Sequence, residues 1–307
     1  MMLSSLQEFW TLMGYAVIAA AVMSPVHALF GVQIVRRGLI FIDLAVAQVA
    51  ALGMSIAIAN GHEAHSNQAY LYSVVSALIG ALLISLTRHR LGRVPHEAII
   101  GTVYVLSTAA SIVVLEFAPS GHGMEELKAM LAGNIIFVEP GQVQTTAITY
   151  AIVLGITLLI WRHITAITLD KSNDAGSTRT IFFDFAFYAL LGFVVASSVK
   201  IAGVLVVFSW LVMPAIVAFF AVENMKKAAF IAIPIGVIGS IIGLLISYYA
   251  PALPFDHSHD EPNAIEAAGQ GGWPTGPSIV LALAAVVTVS YLIHAIRNPK
   301  AAPPSEA

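Results

Sequence analysis

The stretch RRGLIFIDLAVAQVAALG, residues 36–53, decides how the rest of the chain is read. Two arginines stand at its start. The run behind them is apolar enough for lipid, yet it holds an aspartate, Asp43, and a glutamine, Gln48. A carboxylate at the centre of a bilayer-spanning helix costs about 2.5–3.5 kcal/mol on insertion scales. Ionisable residues kept inside spans face protein or a water-filled path and act there. What Asp43 and Gln48 do therefore depends on whether their surroundings span a membrane.

Composition says that they do. Of 307 residues, 58% are hydrophobic and only 10% are charged, against about 25% charged in an ordinary soluble domain. Mean hydropathy is +0.87. A net charge of −3 gives no sign of a nucleic-acid partner, and the absence of cysteine excludes a disulfide framework and thiolate metal ligands. The opening MMLSSLQEFW has neither a basic n-region nor a small-residue cleavage site, so the first apolar run is expected to be a span rather than a signal peptide.

A span needs about 20 mostly apolar residues. Candidates lie near 9–35, 40–60, 69–87, 97–117, 141–161, 181–199, 201–222, 228–250 and 277–296. Little polar sequence separates 181–199 from 201–222, so eight spans is the alternative to nine. The fold class is all-α, a polytopic helical membrane protein. It is expected as a single transmembrane domain over 1–297, with a disordered cytoplasmic tail at 298–307.

Lysine and arginine set the orientation. With nine spans, one side holds Arg36, Arg37, Arg88, Arg90, Arg93, Arg162, Lys171, Arg179, Lys226, Lys227, Arg297 and Lys300, and the other only Lys128 and Lys200. The first side is read as cytoplasmic, which puts the N-terminus outside and the C-terminus inside. An eight-span chain would place some of these clusters on the wrong face.

The outer loops collect imidazole and carboxylate. Loop 60–68 carries His62, Glu63 and His65; loop 118–126 carries His122, Glu125 and Glu126; and the segment after 251 carries Asp256, His257, His259, Asp260 and Glu261. Such donors suit borderline divalent cations. One reading is a weak metal-gathering surface, and the other is ordinary solvated loops. On the inner side, WRHITAITLDKSNDAGSTRT (161–180) is polar and long enough for a short helix across the membrane face. It suits a surface that receives motion from a separate motor, or a plain connector. The sequence has no P-loop motif G-x-x-x-x-G-K-[ST], so ATP hydrolysis would have to come from a partner chain. Neither a nucleophile elbow nor an H-E-x-x-H pattern occurs, and the chain is not expected to be an enzyme.

Several stretches, in order along nearly the whole chain, resemble the membrane subunits of bacterial ABC transporters for zinc, manganese and iron. GVQIVRRGLIFIDLAVAQVAALG (31–53) is similar to that family's motif of arginine, phenylalanine, aspartate, histidine and glycine. HEAIIGTVYVLSTAAS (96–111), LKAMLAGNIIFVEP (127–140), IAGVLVVFSWLVMPAIVAFF (201–220) and GWPTGPSIVLALAAV (272–286) resemble later family segments. The resemblance implies a homodimeric permease in the bacterial inner membrane, with its path at the dimer centre. A cytoplasmic ATPase pair and an extracytoplasmic metal-binding protein would serve it, and the divalent metal would be cargo rather than a resident cofactor. It also assigns Arg162, Asp170, Lys171, Asp174 and Arg179 to the ATPase-coupling segment.

At the motif itself the chain departs from the family. Anchored on Phe41 and Gly53, Gln48 stands where histidine is expected and Leu44 where aspartate is expected, with Asp43 one place earlier. An i, i+5 pair is separated by about 140° around a helix. The expected path site is His27, Asp43 and Gln48, with His27 supplied by the first span. The alternative is structural: His27 bonds a neighbouring helix, and Asp43 pairs with Arg36 or Arg37. Asp184 and Glu116 are read as interfacial, and the small residues of AVAQVAALG as a close helix contact. Rival functions are an ion-coupled secondary transporter in which His27 and Asp43 relay protons, and an ABC permease for a metal chelate or another small solute.

Overall fold

The computed structural model describes residues 2–63, 66–88, 95–118, 135–169, 178–250 and 273–297. Lipid offers no partner to backbone N–H and C=O groups, so a spanning segment must satisfy them internally, as a helix does. The apolar runs accordingly form α1 (Met2–Arg37), α2 (Ile42–Ala59), α3 (Asn67–Arg88), α4 (His96–Glu116), α5 (Pro140–Leu169), α6 (Thr178–Ala202), α7 (Val204–Ala221), α8 (Met225–Tyr249) and α9 (Thr275–Arg297). A 3-10 turn at Ile135–Phe137 precedes α5. Among the described residues there is no strand, and nine helices are long and apolar enough to cross a membrane. Each expected span falls on one of them.

The breaks between helices have local causes. α1 stops at Gly38, whose φ of 70° suits a residue without Cβ. The Gly38 N–H bonds Val35 O and the Leu39 N–H bonds Ile34 O, both at 3.2 Å, which is a Schellman ending. The chain then turns through Phe41 into α2. Between α6 and α7 a single residue, Gly203 (φ 80°, ψ 161°), makes the break. At the start of α8, Asn224 caps by accepting from the N–H groups of Lys226 and Lys227.

Side-chain contacts settle the direction of these helices. Arg37 meets Asp184 and His27 meets Ser198, so α1 and α6 run antiparallel. Phe9 packs on Tyr248 while Ser24 lies against Gly236, so α1 and α8 are antiparallel too. α6 and α8 therefore point the same way, and α7 between them must cross back. Two crossings, not one, occupy 178–221, and the eight-span alternative falls.

α1 is the central helix. Its most apolar window is 78% buried, against 17% for α9, which places α9 at the rim. α1 packs on α8, α7 and α5; α2 packs on α4 and α3; and α3 packs on α6. One buried apolar cluster draws on all nine helices. Without a hydrophobic force between helices in lipid, close approach through small residues carries much of the packing. Gly31 of α1 lies against the Leu211 backbone of α7, and Gly243 of α8 against the Ile279 backbone of α9. Gly53 of α2 lies against Ser76 and the Tyr72 carbonyl of α3, so the small-residue face of AVAQVAALG is a helix contact.

Candidate functional site

Asp43 sits in the first turn of α2, where the helix N-terminus favours negative charge. It is 2% exposed, and its Oδ1 has no hydrogen-bond partner. An unpaired buried carboxylate oxygen is costly, and such groups in native folds call for an explanation such as an ion, a water or a working role. Gln48 is also buried, at 4% exposed. It lies about 7.5 Å further along α2.

The arginines beside Asp43 do not neutralise it. Arg37 instead donates from Nη1 to Asp184 Oδ1 at 2.9 Å, a salt bridge with both side chains buried. Its Nε donates to Thr168 Oγ1 at 2.9 Å, and its guanidinium lies 4.4 Å from the Phe187 ring centroid. Asp184, near the start of α6, is therefore fully buried inside the helix packing. Gln33, one turn before Arg37, extends the network. Its Nε2 donates to Thr165 Oγ1 at 2.9 Å, and its Oε1 faces Thr168 Oγ1 at 2.8 Å. No periodicity could have revealed this cluster, because the α1 residues and their partners lie more than 130 residues apart in sequence. The only signal was an acidic residue within an apolar run.

His27 is fully buried at a different depth. It precedes Arg37 by ten residues, about 15 Å of helix rise, whereas Asp43 follows Arg37 round the corner. The Met23 carbonyl, 2.8 Å from Nδ1, can only accept, so Nδ1 carries a proton. Nε2 faces Ser198 Oγ at 3.0 Å. The ring lies against Tyr150 and Trp210, with centroids 5.9 and 5.7 Å away. Both nitrogens are thus held by protein, and the ring joins α1 to α6. Among the described residues no group of three His, Cys, Asp or Glu stands close enough to hold a metal ion.

Of the outer-loop residues, His62 is half-buried at the end of α2 beside Tyr72, with ring centroids 6.1 Å apart. His65, His122, Asp256, His257, His259 and Asp260 lie outside the described residues. So do Asp170, Lys171 and Asp174 of the inner segment. Its flanks are described: Arg162 is exposed on α5, and Arg179 is exposed in the first turn of α6. The guanidinium of Arg179 lies 5.9 Å from the Phe183 ring, and that ring stacks on His163 at 4.5 Å. The two helices are thereby joined just inside the segment that connects them.

The model of the ABC 3 transport family matches residues 10–254, four-fifths of the chain, from α1 through α8. The chain belongs to the ABC 3 transport family. Among its relatives, a Listeria monocytogenes protein named as a manganese transport system membrane protein is 24% identical over 234 residues, 76% of this chain and 80% of that protein. A Haemophilus influenzae protein named "Probable iron transport system membrane protein" is 24% identical over 181 residues, and the match spans 59% of this chain and 63% of that protein's length. Among solved structures, PsaBC from Streptococcus pneumoniae in complex with Fab superposes with a TM-score of 0.72, at 20% identity, over 95% of each chain. At that identity the likeness speaks for the fold. This ABC 3 family chain therefore keeps the family's helical frame. Where the resemblance expects aspartate and histidine the chain has Leu44 and Gln48, and the buried carboxylate of Asp43 stands one place before the first.

Proposed function

We propose that this chain is the membrane permease subunit of an ABC importer that carries a divalent transition metal ion into the cytoplasm, with manganese or iron as the cargo. Family membership supports the machine. The observation that carries the cargo is Asp43, a buried carboxylate with one oxygen unpaired, inside a span. Two relatives named for manganese and for iron agree with it.

The donor chemistry favours the harder end of the metal series. Carboxylate and amide oxygens suit manganese, whereas imidazole suits zinc. With His27 engaged on both nitrogens, Asp43 and Gln48 offer oxygen donors only. Asp43 and Gln48 line the path in this reading, and His27 supports it from the neighbouring helix packing. The His62, His65, His122, Asp256, His257, His259 and Asp260 group gathers metal at the outer mouth. The segment bounded by Arg162 and Arg179, with Asp170, Lys171 and Asp174 between them, receives a cytoplasmic ATPase pair. An extracytoplasmic metal-binding protein delivers the cargo. A second copy of the chain completes the path in the bacterial inner membrane, with N-terminus outside and C-terminus inside. The permease itself does no covalent chemistry: its partners supply the differential stabilisation of outward and inward states that transport needs.

Cellular manganese, iron and zinc measured together in the same strain test this. Wild type should accumulate manganese or iron. Asp43→Asn, which keeps shape and removes charge, should abolish that gain at unchanged protein level. Undiminished uptake by Asp43→Asn removes Asp43 from the path, and a zinc-only gain overturns the oxygen-donor argument.

A further inference from the structure

The Arg37 network has a geometry that the transport reading leaves unused. Arg37 is the last residue of α1, and Gln33 stands one turn before it on the same face. Between them they hold Thr165 and Thr168 near the end of α5, and Asp184 and Tyr188 near the start of α6. These are the two helices whose inner ends are joined by 170–177. On its other side Arg37 is followed directly by the Schellman turn at Gly38, and Asp43 lies six residues away in the first turn of α2. The guanidinium thus joins α5 and α6 to the end of α1, from which the chain turns at Gly38 into α2 and Asp43.

We propose that Arg37 is a positioning residue that locks the facing ends of α5 and α6 to the α1–α2 corner, so that movement of those two helix ends is delivered to Asp43. This builds on the proposed ATPase-coupling role of the sequence between them. Three features suit the task. Both charges are buried, so salt screens them much less than charges on the surface. The planar fork is held at once by Thr168, Asp184 and Tyr188 and packed on Phe187, which fixes its direction as a flexible lysine ammonium would not be fixed. A buried ion pair is also weak evidence for stability, because apolar residues of similar volume often serve as well. Retaining charge at this place points to control of geometry.

The test uses the assembled complex with its ATPase in nanodiscs and proteoliposomes. Because the chain has no cysteine, spin labels can be placed by single substitutions at exposed Phe41, Asn60 and Phe182. Labelled copies are diluted with unlabelled chain. In wild type the 60–182 distance should change on ATP binding while 41–182 stays constant. In the variant Arg37→Met with Asp184→Leu, which removes both members of the ion pair, 41–182 should become nucleotide-dependent. Manganese carried per ATP hydrolysed should fall roughly 5–150-fold, the usual range of a coupling between sites. Exchange of the charges, Arg37→Asp with Asp184→Arg, should restore part of that ratio.

A 41–182 distance that changes with ATP in wild type overturns the lock. So does one that stays constant in the apolar variant with transport per ATP intact. An unchanged 60–182 distance in wild type removes the coupling role of the inner segment, and the lock with it. If the distances behave as expected but no manganese is carried, the cargo assignment fails and the lock stands.

Discussion

Replacing His27 with leucine separates a structural histidine from a metal ligand, and the structure sets the size of the effect. The two side chains are similar in volume, so the packing against Tyr150 and Trp210 is largely kept. Two hydrogen bonds go. The Met23 carbonyl belongs to a helix and keeps its backbone partner in the same turn. Ser198 Oγ also lies 2.8 Å from Val194 O, so its hydroxyl keeps an acceptor. Neither partner is orphaned, and only the α1–α6 bond is a true interhelical loss. Interhelical hydrogen bonds in membrane proteins average about 0.6 kcal/mol, with a maximum near 1.7. His27→Leu should therefore cost about 1–2 kcal/mol of stability. Thermal unfolding in detergent reads that loss, and uptake per folded chain should stay at the wild-type level. A fall in uptake of roughly tenfold or more, the size expected when a metal ligand or its support is lost, would refute the reasoning if the folded amount is unchanged. The ring would then have to release Ser198 and turn toward the cargo during the cycle.

Other consequences follow from the helix contacts. Gly203→Ala places a Cβ at φ 80°, ψ 161°, a region essentially reserved for glycine, and should cost about 1–3 kcal/mol, read as a lower melting temperature of the purified chain. Trp210 donates from Nε1 to Ser240 Oγ at 2.7 Å, linking α7 to α8. Trp210→Phe and Ser240→Ala should each destabilise, and the double variant should cost less than their sum by about 0.6–1.7 kcal/mol; strict additivity would remove that bond from the account. Gly53→Val drives side-chain atoms into Ser76 and the Tyr72 carbonyl, so membrane-inserted yield should drop, in line with an overpacking cost of about 1–3 kcal/mol. Adding Ser76→Ala should recover only part of it, because the carbonyl cannot move without α3.

Much of this protein is legible in one dimension because lipid is a demanding solvent. It forces each span to be a long apolar helix, so composition alone marks the class, and the apolar runs mark the spans except where 181–199 meets 201–222. Twelve of the fourteen basic residues fall in alternate loops and the tail, and the proposed orientation rests on that asymmetry alone. The motif around Asp43 and the segments that follow it in order carry the family resemblance, and the family match over residues 10–254 agrees. Asp43 and Gln48 stand out for the same reason, since a polar residue in such a run has to be accounted for.

Contacts across the chain were decided only by tertiary structure. Sequence left open whether 178–221 crosses once or twice; the antiparallel pairing of α1 with both α6 and α8 requires two crossings. The one pairing the sequence suggested for Arg37 was the nearby Asp43, and the fold instead gives it Asp184, 147 residues away. His27 looked like a ligand by its place in a span, yet its environment comes from Met23, Ser198, Tyr150 and Trp210 on four helices. Burial in a bilayer is a property of one segment and its solvent, so sequence can set it. Which polar group satisfies which depends on how helices far apart in the chain are packed side by side, and no local pattern records that.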